Sequence, residues 1–198
     1  MKRFSRILTA VLLAGCTGCF SSSTPDSRAW LVAPRTDLQQ TAAPEGGSAF
    51  SATRLGAVTV SAPYDRAPFV VRRADGSVAF DAYNVFASAP ALLLRAPVRS
   101  RLQADGRFGH VVSSSSAASA DAQVEVTVTD LSLDCRDCSK RTARAAVSLD
   151  VVKSGRGPRD VALVGSGSGE ADASAGDYSA AFSAAFDAAV AEALRSLK

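Results

Sequence analysis

Cys135-Arg136-Asp137-Cys138 carries the most reactive side chains of the chain, and three chemistries compete for a Cys-x-x-Cys pair. As zinc ligands, the two thiolates need two more partners, and the chain offers only its single histidine, His110, and Cys19. As a thioredoxin-like redox couple, the pair should open a helix after a strand, whereas β-patterned residues flank it on both sides. As a bridge, Cys135 and Cys138 flank a two-residue loop of Arg136 and Asp137 and face each other across a hairpin. A directly opposed hydrogen-bonded pair has a Cα separation of about 5.5 Å, which a disulfide spans. The hairpin disulfide is the favoured reading if the compartment is oxidising, and its small loop limits the stabilisation to a few kcal/mol.

Other catalytic constellations are missing. His110 sits in Phe108-Gly109-His110-Val111, a strand entry, and no Gly-x-Ser-x-Gly nucleophile elbow occurs. Gly165-Ser166-Gly167-Ser168-Gly169 has no following Lys-Ser/Thr and continues a strand, so it is no phosphate-binding loop. The acids are scattered through turns and polar faces without a pair suited to general acid–base work. The expectation is a non-enzyme with no metal and no cofactor.

The compartment is read from the start of the chain. Lys2, Arg3 and Arg6 precede an apolar run, Ile7 to Ala14, too short to span a bilayer, which ends at Gly15 and Cys16. Leu13-Ala14-Gly15-Cys16 resembles the lipobox of bacterial lipoproteins. That resemblance implies cleavage after Gly15 and diacylation of Cys16, hence attachment to a membrane through an N-terminal lipid anchor in an oxidising compartment. The formal charge of +3 then has a simple source. The leader holds three of the 22 cations and no acid, so the remainder balances 19 cations against 19 acids. A basic footprint for nucleic acid is therefore not expected.

A third segment with chemical character is Pro63-Tyr64-Asp65-Arg66-Ala67-Pro68-Phe69-Val70-Val71-Arg72. Two prolines fix φ around an Asp-Arg pair and predict a rigid corner between strands. Arg66 and Arg72 would hold loop carbonyls or a carboxylate, Asp81 or Asp65. Tyr64, Arg66, Pro68 and Arg72 thus read either as a structural corner or as a docking surface for a partner.

The elements that must position these residues follow from periodicity. Residues 16–29, rich in Ser and with Pro25, read as a flexible tether, and a single domain is expected over 30–198. Trp30-Leu31-Val32 suits a short strand, 34–53 a loop, and ordered structure begins near Leu55. Ala74-Asp75-Gly76 between Phe69–Arg73 and Ser77–Phe80 is a hairpin signal. Pro90 opens a helix to about Ala104, which Pro97 should kink or shorten, with Asp105-Gly106 as its stop. Phe108 to Val112 reads as a strand. Val124, Val126 and Val128 alternate with polar residues, and Leu131 and Leu133 continue on the opposite parity, predicting a bulge near Thr129-Asp130. A strand over Ala143–Val151, a turn at 154–158 and a strand from Val161 follow. Tyr178, Phe182, Phe186, Val190 and Leu194 form one helical stripe. The fold class expected is α+β: a largely antiparallel or mixed sheet with two amphipathic helices packed on it.

The Pro63–Arg72 segment is similar to the P-Y-x-x-R-P-x-[IV]-[VL]-R segment of ABC-type transport auxiliary lipoproteins, the PqiC-like group. The preceding strand, the hairpin, Tyr83-Asn84-Val85-Phe86, Pro90 and the opening Trp30-Leu31 with Pro34 occur in the family's order. Phe86 stands where the family usually has Trp, and Pro97 departs from its pattern. The resemblance implies a non-catalytic lipoprotein subunit of an ABC-type lipid or export system, often one with mammalian-cell-entry (MCE) proteins. It implies docking of a periplasmic component to the membrane, and a homo-oligomer as one option. Thr17 in place of Asp after Cys16 implies the outer membrane, with the domain facing the periplasm. The alternative from another class is a lipid-binding carrier lipoprotein.

Overall fold

Alternating valines and alanines dictate a long sheet, and the computed structural model of the chain builds it from eight strands. It describes residues 26–40, 49–137, 139–154 and 161–198. The leader, Cys16, most of the tether, Cys138 and most of the 154–158 turn lie outside the described residues. The strands are β1 (Arg28–Trp30), β2 (Phe50–Val60), β3 (Pro68–Arg73), β4 (Val78–Phe86), β5 (Phe108–Val112), β6 (Ala122–Cys135), β7 (Thr142–Lys153) and β8 (Val161–Asp172). Between β4 and β5 stand α1 (Pro90–Leu93) and α2 (Arg95–Ala104), and α3 (Tyr178–Ser196) closes the chain. The class is α+β, with a mixed sheet covered by helices.

Strand β6 is the axis of the sheet. Along one edge it pairs antiparallel with β7, which pairs antiparallel with β8, giving the meander that the parity of the sequence predicts. Its register on β7 shifts between Val128 and Asp130, so Leu131 and Leu133 return to the face of Val124 and Val126. Its other edge is shared. The first half takes β2 in parallel and the second half takes β3 in parallel. Beyond them lie β5 on β2, and β4 and then β1 on β3. Four of the seven strand pairings are therefore parallel, so the sheet is mixed rather than largely antiparallel, a feature that single-strand periodicity does not encode.

The inner face of the sheet and α3 make the core. Val124, Val126, Val128, Leu131, Val147, Leu149 and Val151 are buried against Phe182, Ala185, Phe186, Ala189 and Val190. Phe69 sits among Phe86, Phe182 and Tyr178 at centroid separations of 4.6, 4.9 and 5.7 Å, in tilted or edge-on geometry. Gly165, Gly167 and Gly169 explain how close β8 comes to α3. A Cβ on them would stand 2.2, 2.3 and 2.1 Å from the carbonyl oxygens of Ala193, Ala189 and Ala185. The Gly-x-Gly-x-Gly run is thus a seat for a helix backbone.

Two expectations need correction. Strand β2 begins at Phe50 rather than near Leu55, because the Asp121 carboxylate accepts from the backbone N–H groups of Ser51 (2.9 Å) and Ala52 (3.1 Å) and pins the strand's start. The Trp30-Leu31-Val32 strand is instead Arg28–Trp30, with Leu31 already leaving the ladder. The Pro90 helix is shortened as Pro97 requires. It breaks at Leu94 into α1 and α2, placing Pro97 in the first turn of α2, where its missing N–H costs nothing. Leu94, Val98 and Leu102 are fully buried along it, and the Asp105 N–H closes it on Arg101 and Leu102.

Candidate docking surface

The corner of Tyr64, Arg66, Pro68 and Arg72 arises because β2 and β3 lie end to end along one edge of β6. The chain must step out after Val60 and return at Pro68. Ser61 still donates its N–H to the Val128 carbonyl (2.9 Å), the Ala62–Pro63 peptide is cis, and Tyr64 N–H closes a turn on the Ser61 carbonyl (2.9 Å). Pro68 opens β3.

Arg72 organises the corner. Its Nη2 donates to the Tyr64 hydroxyl (2.8 Å) and to Asp130 Oδ2 (2.8 Å), and its Nε donates to Ser132 Oγ (3.1 Å). Ser132 in turn donates to Asp130 Oδ1 (2.7 Å). The carboxylate that holds Arg72 is therefore Asp130, at the bulge, and not Asp65 or Asp81. A bulge re-aims one side chain, and this one turns Asp130 toward the arginine. Burial, and then the Asp130 carboxylate, push the Tyr64 phenol above its ordinary pKa, so it stays a neutral hydroxyl.

Arg66 points elsewhere. Its guanidinium lies 5.5 Å from the centroid of the Phe80 ring on β4, a cation–π contact. The register sets Phe80 opposite Val70, which is buried, while Phe80 itself is 47% exposed. The structure thus joins Tyr64 to Arg72 and Pro68 to the start of the same strand, and places Arg66 over a neighbouring apolar patch of Val78 and Phe80.

A second polar cluster stands on the outer face beside the Cys-x-x-Cys hairpin. Asp134, nearly buried, accepts from Arg136 Nη2 (2.6 Å), Arg136 N–H (3.0 Å) and Arg144 Nη1 (2.9 Å), and Arg144 also pairs with Glu170. The hydrogen bonds from Arg136 and then Arg144 hold the Asp134 carboxyl well below the usual carboxylate range, against the opposing effect of burial. Cys135 is half-buried at the end of β6; because Asp134 pairs with Thr142 and β7 begins only there, Arg136 and Asp137 are not the two-residue loop of a tight hairpin, and the bridge to Cys138 itself lies outside the described residues. His110 is on β5, exposed. No group of three or more His, Cys, Asp or Glu among the described residues stands where it could hold a metal ion.

Sequence reasoning missed Asp130, Asp134, Arg144 and Phe80. The parity change near Thr129-Asp130 was a usable signal, because a bulge re-aims the side chains beside it and an acid stands there. Partners of Arg144 and Phe80 depend on long-range register and leave no local trace.

On the helical side, Asp187 of α3 is 8% exposed and takes a two-pronged grip from Arg101 of α2 and a longer bond from Arg35 (3.4 Å). Beside it, Pro34, Arg35, Leu38, Arg99 and Gln103 line an open groove of about 710 Å³. None of the described helices is long and apolar enough to cross a membrane.

Comparison with known proteins gives this geometry its context. No curated protein matches the chain. Among solved structures, the crystal structure of protein XCC0632 from Xanthomonas campestris, described with the family model DUF330, is similar at 17% identity and a TM-score of 0.55. That match covers 84% of this chain and 86% of the other. An uncharacterized protein is similar at 15% identity with a TM-score of 0.42, over 68% of this chain and 78% of its own. At such identities the first likeness speaks for the fold. The family model of the ABC-type transport auxiliary lipoprotein component matches residues 36–197, from just after β1 to the last turn of α3. With the corner, the hairpin and the helices all inside that match, the chain belongs to the ABC-type transport auxiliary lipoprotein family.

Proposed function

We propose that this protein is a non-catalytic, lipid-anchored docking subunit of an ABC-type transport system with an MCE-type periplasmic component. It would sit at the outer membrane and face the periplasm. The observation that carries the reading is the family match over residues 36–197. Two features of the fold support it. The outer face of the sheet is polar and carries the Tyr64–Arg72–Asp130 corner, with Arg66 over Phe80 next to it. The interval between sheet and α3 is filled by Phe69, Phe86, Phe182 and Phe186, which leaves acyl chains no room there and weakens the carrier alternative.

The mechanism is tethered docking. Cys16, diacylated, holds the domain within a tether's reach of one membrane, and a short flexible linker of that kind sets an effective concentration in the millimolar range for a partner in the same envelope. Contact by the corner then needs only modest intrinsic affinity. The test is in-cell photo-crosslinking from Arg66, which is not part of the buried network, in cells retaining the native transport genes. Adducts with the system's periplasmic or permease component support the reading. Adducts with phospholipid alone, at stoichiometric yield, overturn it in favour of the carrier.

A further inference from the structure

The groove beside Asp187 has two fixed walls. One is the extended segment 33–40, fastened to the helices by its backbone and by an ion pair. Ala33 N–H donates to Ser183 Oγ of α3 (2.9 Å), Arg35 pairs with Asp187 (3.4 Å), and the Arg35 carbonyl accepts from Ser100 Oγ (3.1 Å). The other wall is the outward side of α2, which Val98 and Leu102 hold in place by their complete burial. The space between the walls, about 710 Å³, is that of a small-molecule site.

The charges around this space do not cancel. Arg35 and Arg101 are matched by Asp37 and Asp187. Arg99 lines the groove and enters no ion pair among the described residues. Its one hydrogen bond is long, 3.4 Å from Nη2 to the Val111 carbonyl, so most of its donor fork is open. Among the described residues no acid lines the groove. The Thr36 hydroxyl and the Gln40 and Gln103 amides line it and have no hydrogen-bond partner among the described residues. Pro34, Leu38 and Ala96 add apolar surface beside these donors.

We infer that this groove is a binding site for a phosphate ester. Arg99 takes two phosphate oxygens through its fork, the open amides and hydroxyl take the others, and the ester's carbon chain lies on the apolar surface. A tetrahedral phosphate accepts from donors on both walls at once, whereas a planar carboxylate is served by Arg99 alone. The ester has two sources, a soluble molecule or the headgroup of an anionic phospholipid. On the proposed anchoring, at most roughly 40 Å of chain separates Cys16 from Arg28, which keeps the groove within reach of headgroups. Such a contact orients an anchored domain. It falls far short of holding the domain on a bilayer, so the acyl chains still decide where the protein fractionates.

The test uses the full lipidated chain in two settings. In non-ionic detergent, glycerol 1-phosphate is titrated by calorimetry. In nanodiscs, hydrogen exchange of residues 34–40 and 96–104 is compared between phosphatidylglycerol and phosphatidylcholine. Only the nanodisc measurement rests on the proposed anchoring, so a failure of that reading leaves the titration standing. Saturable binding is expected, and Arg99→Gln should weaken it roughly tenfold or more. The melting temperature should not change, because Arg99 is exposed. Arg99→Lys should recover part of the affinity, since it keeps the charge and loses the fork. Arg95→Gln, one turn away and outside the lining, should change affinity by less than about twofold. Slower exchange in phosphatidylglycerol discs, lost in Arg99→Gln, identifies the headgroup as the source; binding of glycerol 1-phosphate without it identifies a soluble ester. Three results overturn the inference. One is no binding in either setting, and another is binding that Arg99→Gln leaves unchanged. The third is a polyglutamate peptide that binds more tightly than glycerol 1-phosphate, which would make the groove a seat for an acidic protein segment.

Discussion

At the scale of single residues, two aspartates hold the outer face together by different means. Asp130 is the hub of the corner, accepting from Arg72 and Ser132 while Arg72 also takes the Tyr64 hydroxyl. Asp130→Asn keeps the shape but leaves a partly buried guanidinium without its counter-charge, which costs about 1.5–3 kcal/mol. Chemical denaturation should register that loss, with Tyr64→Phe smaller and non-additive with it, because both touch one arginine. Asp134 is instead a pH-sensitive clamp. Arg136 and Arg144 depress its pKa in the folded state. A depressed carboxylate contributes stability that is fully present above its unfolded value of about 3.9 and is lost as the pH falls through the folded value. Asp134→Asn should therefore lower the melting temperature clearly at pH 7, and the gap to wild type should narrow steadily below about pH 4. A gap that stays constant on acidification would show that packing, not charge, holds this cluster.

At the scale of elements, the decisive contact is α3 on β8. Three glycines let the strand reach the carbonyls of Ala185, Ala189 and Ala193, and the helix returns the favour by covering the strand's edge. Ser196 Oγ takes the Ser166 N–H (2.9 Å) and donates to its carbonyl (2.8 Å), Glu192 accepts from Ser168 N–H (2.6 Å), and Lys198 pairs with Val164 through the backbone. Gly167→Ala places a methyl 2.3 Å from the Ala189 carbonyl and 2.4 Å from the Ala193 nitrogen, both backbone atoms that cannot swing aside. The expected cost is about 1–3 kcal/mol or more, a loss of about 2–4 °C per kcal/mol for a chain of this size. Ser166→Ala, without that clash, should cost less in the same melt. This element also shows what a sequence conveys. Alternation located β6 and β7, the 3.6-residue stripe located α3, and the parity switch located the bulge at Asp130. Each is a local signal. The parallel pairing of β2 and β3 on one edge of β6, and hence the meeting of Tyr64 with Asp130, rests on contacts about sixty residues apart, for which a lone sequence has no period. The glycine run was legible as strand and not as helix seat, because the reason for each glycine sits on another element.

At the scale of the whole molecule, the proposed function joins the domain to its membrane through one residue. Nothing among the described helices can cross a bilayer, and the core is turned inward around Phe69, Phe182 and Phe186. On the proposed reading, membrane attachment therefore resides in the acyl chains on Cys16, and two or more chains anchor stably where one binds only marginally. Replacing that cysteine separates the tether from the fold. Cys16→Ser removes the acylated sulfur and leaves residues 26–198, with every contact described above, unchanged. The expected outcome is a protein that moves from the membrane pellet to the soluble envelope fraction with its melting temperature intact, and that loses the Arg66 crosslinks to the transport partner at native expression. Overexpressing the released domain should restore those crosslinks in part, because concentration then substitutes for tethering. A Cys16→Ser protein that still pellets with membranes through its globular domain would refute tethered docking and assign membrane affinity to the fold itself.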